Sequence, residues 1–237
     1  MIKIINIYRY INFRIKPIYF INSRFIKKLL SKDIIFDLIL DVGSGVSPYK
    51  NLFSKYKNYF SIDIAPSNVT NICADSNNLP IKSNSIDLII ALEMIQHINN
   101  PQNTLESYRR VLKKGGYLII TYPFMYCECD YHDFNRWTHD GFLEFLKKND
   151  FIIINQNRRG SLLFVLSNIL ITFIQGLFPG NRKNWRQSKN FSNYIISFFQ
   201  FIVIFPFYCF SWLCLFLDKF ITIKKYYIGG IVLAKKK

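Results

Sequence analysis

The chain has 237 residues, 50% of them apolar and 17% aromatic, and carries a formal charge of +16. This length accommodates one sizeable α/β domain with an insertion, and the lack of an internal repeat or low-complexity tract argues against a solenoid or a disordered protein. Its five cysteines (Cys73, Cys127, Cys129, Cys209, Cys214) are odd in number and lack framework spacing, which argues against a disulfide scaffold and for reduced thiols in a cytoplasmic setting.

The charge is uneven along the chain. Residues 1–32 carry eight Lys/Arg and no acid, residues 33–157 carry 11 against 14 acids, and residues 158–237 carry 12 against a single acid, Asp218. Basic stretches therefore flank a mildly acidic middle. The opening MIKIINIYRYINFRIKPIYF scatters basic residues through its apolar ones, a poor secretory signal.

In chain order, YFINSRFIKKLL reads as a helix closing a basic segment, 1–32. DLILDV is a buried strand ending at a glycine turn, NYFSIDI a second strand, NICAD a short third and IDLIIA a fourth. PQNTLESYRRVLKK is a helix starting near Asn100 or Pro101 and stopping at Gly115-Gly116. GYLIITYP is a fifth strand, HDGFLEFLKKND a helix capped by Thr138, and FIIINQN a sixth strand. An apolar helical block fills 159–222, and YYIGGIVLAKK, within 223–237, is a last strand. Strands alternating with helices predict an α/β fold with a mostly parallel sheet, its core at 33–158.

In such a sheet a ligand binds at the carboxyl ends of the strands. LDVGSGVSPY occupies that place: Gly43 and Gly45 permit a tight turn and close approach of a ligand to the backbone. Pro48 stands where a dinucleotide fingerprint needs a glycine. Asp41, two residues before Gly43, can accept from an ammonium group, and Asp63 ends the second strand where an acid can hold ribose hydroxyls. Asp75 can accept from an adenine amine or simply cap a turn.

LDVGSGVSPY, SIDI, CADSNNLPI, SIDLIIALEMIQHI and YRRVLKKGGYLIITYP together resemble, in order and spacing, the class I S-adenosylmethionine-dependent methyltransferases, and most of all the type-11 group. The resemblance covers roughly residues 35–155, with Ser47 where many members have a third glycine. It implies a Rossmann-like seven-stranded sheet whose last strand is antiparallel, and S-adenosyl-L-methionine as cofactor. Asp41, Gly43 and Gly45 would contact its methionine part, Asp63 its ribose, Asp75 and Ser76 its adenine, and Ala91 and Leu92 its floor, with Ile64 also among the cofactor-binding residues. It also matches Glu93 and His97 to an acid and a histidine near the methyl pocket, on a helix, where His97 is either a further catalytic candidate for proton transfer or a structural residue. HDFNRWTHDGF resembles a substrate-side segment of a subset of the family. It makes His132 and Asp133 a candidate base and its orienter, Arg136 a substrate clamp and Trp137 a stacking wall. Cys127, Cys129 and His132 lack paired CxxC spacing, so no metal site is expected.

The last strand must join the same sheet as Gly43, so one membrane crossing at 195–217 contradicts the fold. Two crossings would export the basic loop around Arg182, Lys183, Arg186 and Lys189, against the positive-inside tendency. Asn168, Thr172 and Gln175, and Asn193, Ser197, Gln200, Tyr208 and Ser211, form thin polar stripes on otherwise apolar helices. Such helices suit shallow docking on an anionic membrane, or a lid. The expected protein is a peripheral methyltransferase on the inner membrane face, acting on a small-molecule, lipid-linked or saccharide acceptor. RNA methylation and a non-catalytic membrane adaptor are the alternatives. Because the positive charge is tied to apolar segments, nucleic acid is the weaker partner.

Overall fold

The computed structural model describes residues 14–31, 34–128, 132–177, 191–220, 223 and 225–237, with backbone alone for 191–201. Residues 1–13, Cys129, most of the basic loop around Arg182 and the side chains of Asn193, Ser197 and Gln200 lie outside the described set. Seven strands, β1 (Leu38–Val42), β2 (Asn58–Asp63), β3 (Ile72–Cys73), β4 (Ile86–Ala91), β5 (Leu112–Pro123), β6 (Phe151–Arg159) and β7 (Gly229–Lys236), form one sheet. Their order is β3-β2-β1-β4-β5-β7-β6. Every pairing is parallel except those of β7, which runs antiparallel between β5 and β6. This is the expected topology. β1 and β4 lie mid-sheet with both faces covered, which is why LILDV and IDLIIA read as nearly continuous apolar runs.

The described residues form five α-helices: α1 (Pro17–Leu30), α2 (Pro101–Val111), α3 (His139–Lys148), α4 (Leu162–Gly176) and α5 (Phe191–Leu217). Leu105, Tyr108 and Val111 of α2 and Phe142 and Leu146 of α3 pack on one face against Leu40, Ile89, Leu118 and Ile120. Phe25, Ile26 and Leu29 of α1 pack on the other against Ile39, Leu88, Ile119 and Leu233. Helix α1 starts with Pro17 and ends with Lys27 and Lys28, both favourable for its dipole.

Two elements depart from expectation. Helix α2 stops at Val111, and LKK opens β5 instead. Leu112 is fully buried opposite Ile86, and Lys113 pairs with Asp87 at 2.7 Å, so tertiary contacts override a helix-compatible run. EMIQHI forms only a 3-10 turn, Ile95–His97. Glu93 takes a left-handed φ of 55°, and Ile95 and Gln96 are drawn into the interior, so the chain cannot wind an α-helix there.

The glycine pair of β7 serves side chains from its neighbours. A Cβ on Gly229 would lie 2.1 Å from the Tyr122 carbonyl oxygen and 2.9 Å from Arg159, and one on Gly230 would lie 2.3 Å from the Tyr122 hydroxyl. No other residue fits there.

Helices α4 and α5 pack side by side at the carboxyl edge of the sheet. Phe164 and Val165 contact Ile228, Leu215 and Met125, the last just beyond β5. Asp218 caps α4 from the far end of α5, one carboxylate oxygen accepting from the Ser161 and Phe164 amides at 2.9 and 3.2 Å. Ser211, Gln175 and Tyr208 of the polar stripes meet between the helices: Ser167 bonds Ser211 at 2.9 Å, and Gln175 donates to the Tyr208 hydroxyl at 3.4 Å. Asn168 and Thr172 donate to carbonyls of their own helix at 2.8 Å. Large apolar side chains face outward, including Leu166, Phe173, Ile202, Phe210, Leu213 and Phe216. Among the described residues, no helix is long and apolar enough to cross a membrane.

Candidate active site

The carboxyl ends of β1, β2 and β4 converge on the glycine turn. Asp41 and Val42 end β1, and the chain reverses through Gly43 at φ 67° and Gly45 at φ 55°. A Cβ on Gly43 would lie 2.7 Å from the Met94 Cβ, whereas the space beside Gly45 is open. Ser47, at the position of the missing third glycine, takes φ 47°. A serine there tolerates a conformation that costs a non-glycine residue about 1–2 kcal/mol.

Asp41 is buried, and the Tyr59 hydroxyl donates to its carboxylate at 2.5 Å. Burial raises its pKa from 3.8 to about 6; the Tyr59 bond opposes the rise and the nearby charge of Asp63 adds to it. A carboxylate held so expensively is one that a cationic ligand would relieve. Asp63 accepts from the Gly45 amide at 2.8 Å and the Ala65 amide at 2.9 Å, tying the end of β2 to the turn. Ile64 beside it is 67% exposed. Asp75 is exposed and caps the Ser76–Asn78 turn by accepting from the Asn77 amide at 2.9 Å, while Ser76 is buried. Ala91 and Leu92 are buried at the end of β4.

This arrangement fits S-adenosylmethionine. The space beside Gly45 is open, the buried Ser44 hydroxyl has no hydrogen-bond partner, Asp41 suits an ammonium group and Ile64 offers an apolar surface for a planar ring. Asp41 would hold the amino acid end, Asp63 the ribose hydroxyls, and Ile64, Asp75 and Ser76 the adenine.

The substrate-side residues cluster in one loop pinned to the turn after β4. Phe134 donates its amide to the Gln96 carbonyl at 2.8 Å, and Asn135 donates to the Ile98 carbonyl at 2.7 Å. His97 Nδ1 lies 2.8 Å from the His132 carbonyl oxygen, which can only accept, so Nδ1 carries the proton. His132 itself is exposed, at φ 34°, with its ring stacked on Phe134 at 5.7 Å. Asp133 and Arg136 form a two-pronged ion pair with each other. Arg136 also donates to the Asn135 carbonyl at 2.9 Å, so its charge braces the loop. Trp137 packs edge-on against Phe142 at 5.3 Å and along Phe145 at 6.3 Å. The structure thus gathers His97, His132, Asp133 and Arg136 beside β4 and β5, with Asp133 aligned to Arg136. Among the described residues no group of His, Cys, Asp and Glu could hold a metal ion.

One network carried no sequence signal. Arg159, 1% exposed at the end of β6, pairs with Glu93 and donates to the Tyr122 carbonyl at 3.1 Å. Asn22 of α1 donates to Glu93 at 3.1 Å and to the Tyr49 hydroxyl at 3.0 Å. Helix α1, the residues after the glycine turn, and the ends of β4, β5 and β6 meet there. The arginine pair Arg158-Arg159 that ends β6 does not reveal in sequence which of the two turns inward.

The sheet order and the antiparallel β7 define a Rossmann-like α/β domain, with an acid-lined glycine turn at the carboxyl ends of its strands. Residues 40–120 match the family described as "Methyltransferase domain". The chain is 32% identical over 76 residues to the ubiquinone/menaquinone biosynthesis C-methyltransferase of Campylobacter jejuni, covering 32% of this chain and 30% of that protein. It is 26% identical over 101 residues to the malonyl-[acyl-carrier protein] O-methyltransferase of a Marinomonas species, covering 36% and 37%. The chain thus spans about a third of each of these relatives. Haemonchus contortus phosphoethanolamine N-methyltransferase 2, solved in complex with S-adenosyl-L-methionine, superimposes with a TM-score of 0.54 at 16% identity, over 91% of this chain and 52% of that one. Residues 40–120 thus match a methyltransferase domain, set in the class I fold of S-adenosylmethionine-dependent methyltransferases, and S-adenosylmethionine is the cofactor of that class.

Proposed function

We propose that the protein transfers a methyl group from S-adenosylmethionine to an acceptor held at a membrane surface, such as a lipid-linked sugar hydroxyl or a quinone-like ring. The cofactor supplies a sulfonium methyl that is already activated. The protein's tasks are to align the acceptor with that methyl and to exclude water. Asp41, Asp63 and the glycine turn fix one reactant. The loop 132–137 flanks the other, with His132 the proposed base for a hydroxyl acceptor and His97 anchoring the loop through the His132 carbonyl.

The observation that carries the membrane reading is the inverted polarity of the α4–α5 pair. Among the described side chains, Ser167, Asn168, Thr172, Gln175, Tyr208 and Ser211 bond one another or the backbone of their own helix, while Leu166, Phe173, Ile202, Phe210, Leu213 and Phe216 point outward. A lipid environment demands that arrangement, because it offers no partners to polar groups. The protein would then sit peripherally on the cytoplasmic leaflet. The test is incubation of the purified protein with S-adenosylmethionine labelled in its methyl group and membranes from the source organism. Label in the lipid or lipid-linked glycan fraction is expected. Label in RNA alone favours the RNA reading, and failure to bind S-adenosylmethionine in calorimetry sinks the enzyme in favour of an adaptor.

A further inference from the structure

A cavity of about 700 Å³ lies between α1, β6 and the end of α5, and none of Gly43, Gly45, Asp63, Asp75 or the 132–137 loop lines it. Its volume is that of a small-molecule site. Four cations reach it from three elements: Arg24 and Lys28 from α1, Arg158 from β6 and Lys219 beyond α5. Among the described residues its wall holds one carboxylate, Asp218, whose Oδ2 accepts from the amides of Ser161 and Phe164 while its Oδ1 has no hydrogen-bond partner there. The remaining wall is largely apolar, with Phe20, Phe25 and Leu215 among its members. Two chemistries therefore face the same space, a positive rim and an apolar floor. Phe20, 47% exposed, and Phe220, 74% exposed and next to Lys219, continue that apolar surface from the cavity toward the outward face of α5.

We propose that this cavity binds the phosphate headgroup of an anionic lipid, with the four cations on the phosphate and the lipid chains along the apolar face of α5. An inorganic anion would leave the aromatic and aliphatic wall unused, and a neutral amphiphile would bring no charge to meet Arg24 and Lys28. A nucleic acid would match the charge but would have to cover exposed Phe210, Leu213 and Phe216 without burying them. The site rests on the membrane part of the proposed function and is independent of methyl transfer.

The test uses the full chain, with two charge-reversed variants of equal net charge. One is Arg24→Glu with Lys28→Glu in the cavity. The other is Lys57→Glu with Lys82→Glu, exposed positions near the amino ends of β2 and β4. Co-sedimentation with phosphatidylcholine vesicles, with and without phosphatidylglycerol, is read beside calorimetry with water-soluble dihexanoyl phosphatidate, inorganic phosphate and an RNA oligomer. Binding to the anionic vesicles and to dihexanoyl phosphatidate is expected to fall at least about tenfold in the cavity variant and to hold in the control. Affinity for S-adenosylmethionine stays unchanged in both and reports that both fold. Equal losses in the two variants overturn the site, as does phosphatidate that binds no better than inorganic phosphate, or a loss confined to RNA. Vesicle binding that survives the cavity variant also overturns the site and leaves the membrane reading standing. Phosphatidate binding that depends on the cavity, without any vesicle binding, keeps the site and removes the membrane reading.

Discussion

Arg159 and Glu93 meet although the strands that carry them toward each other, β6 and β4, are separated by β7 and β5. The pair exists because Gly229 on the intervening β7 has no side chain to obstruct the guanidinium. It links the far edge of the sheet to the floor beside the glycine turn. Arg159→Met should lower stability by about 1–3 kcal/mol, because the half-buried Glu93 loses its cation and keeps only the Asn22 hydrogen bond. Adding Glu93→Gln should restore part of that loss, since no unpaired charge then remains. Urea denaturation of the two variants checks both statements, and a double variant no more stable than Arg159→Met contradicts the account.

Asp41 couples the cofactor site to pH. Its pKa is about 6 in the folded chain against 3.8 for an ordinary aspartate, with burial the main cause. A raised carboxyl pKa means that its favourable contribution is complete below pH 3.8 and is lost as pH rises through about 6. At pH 7 the ionised Asp41 thus costs the ligand-free protein about 3 kcal/mol, at 1.36 kcal/mol per pKa unit. Asp41→Asn should raise the unfolding midpoint of the ligand-free protein at pH 7 and leave it little changed at pH 4. S-adenosylmethionine, whose ammonium needs the carboxylate, should bind the native chain more weakly below pH 6, approaching tenfold per pH unit. That dependence should vanish in Asp41→Asn, which calorimetry between pH 5 and 8 would show.

Asp218 holds two helices together through one carboxylate. Asp218→Ala should cost about 1–2 kcal/mol by freeing the amides of Ser161 and Phe164 at the start of α4. The effect should be local. Hydrogen exchange of α4 amides should quicken while β1 and β4 amides keep their protection.

His132 and His97 separate by kinetics. With a hydroxyl acceptor, His132→Ala should reduce kcat by roughly 10²–10⁴-fold and leave cofactor affinity intact. His97→Ala removes the hydrogen bond to the His132 carbonyl, so it should raise the KM for the acceptor more than it lowers kcat. Equal small losses in both would assign the loop a purely structural role.

The centre of the sheet was legible because β1 and β4 are buried on both faces and carry nearly unbroken apolar runs, and because the glycine turn needs backbone angles that few residues adopt. The cofactor residues follow from their places at strand ends. Where β5 begins was not legible, since LKK suits a helix until Leu112 is seen opposite Ile86 and Lys113 beside Asp87. Arg159, Asn22 and Tyr49 stayed hidden for a different reason. They lie far apart in sequence and meet only when α1 is laid across the end of the sheet. Asp218 was visible as an isolated acid, but a cap acting over 57 residues leaves no local pattern.

The position of β7 also sets an order of events during synthesis. β6 has no partner in the sheet other than β7, and β7 follows α4 and α5 in the chain. The apolar helix pair is therefore made, and leaves the ribosome, before the strand that joins β6 to the rest of the sheet. For that interval an open sheet edge and an uncovered oily surface are present together, the combination most prone to aggregation in a nascent chain. Early capture of the helix pair by a lipid surface or a chaperone would shield it until Gly229 and Gly230 slide into place beside Tyr122.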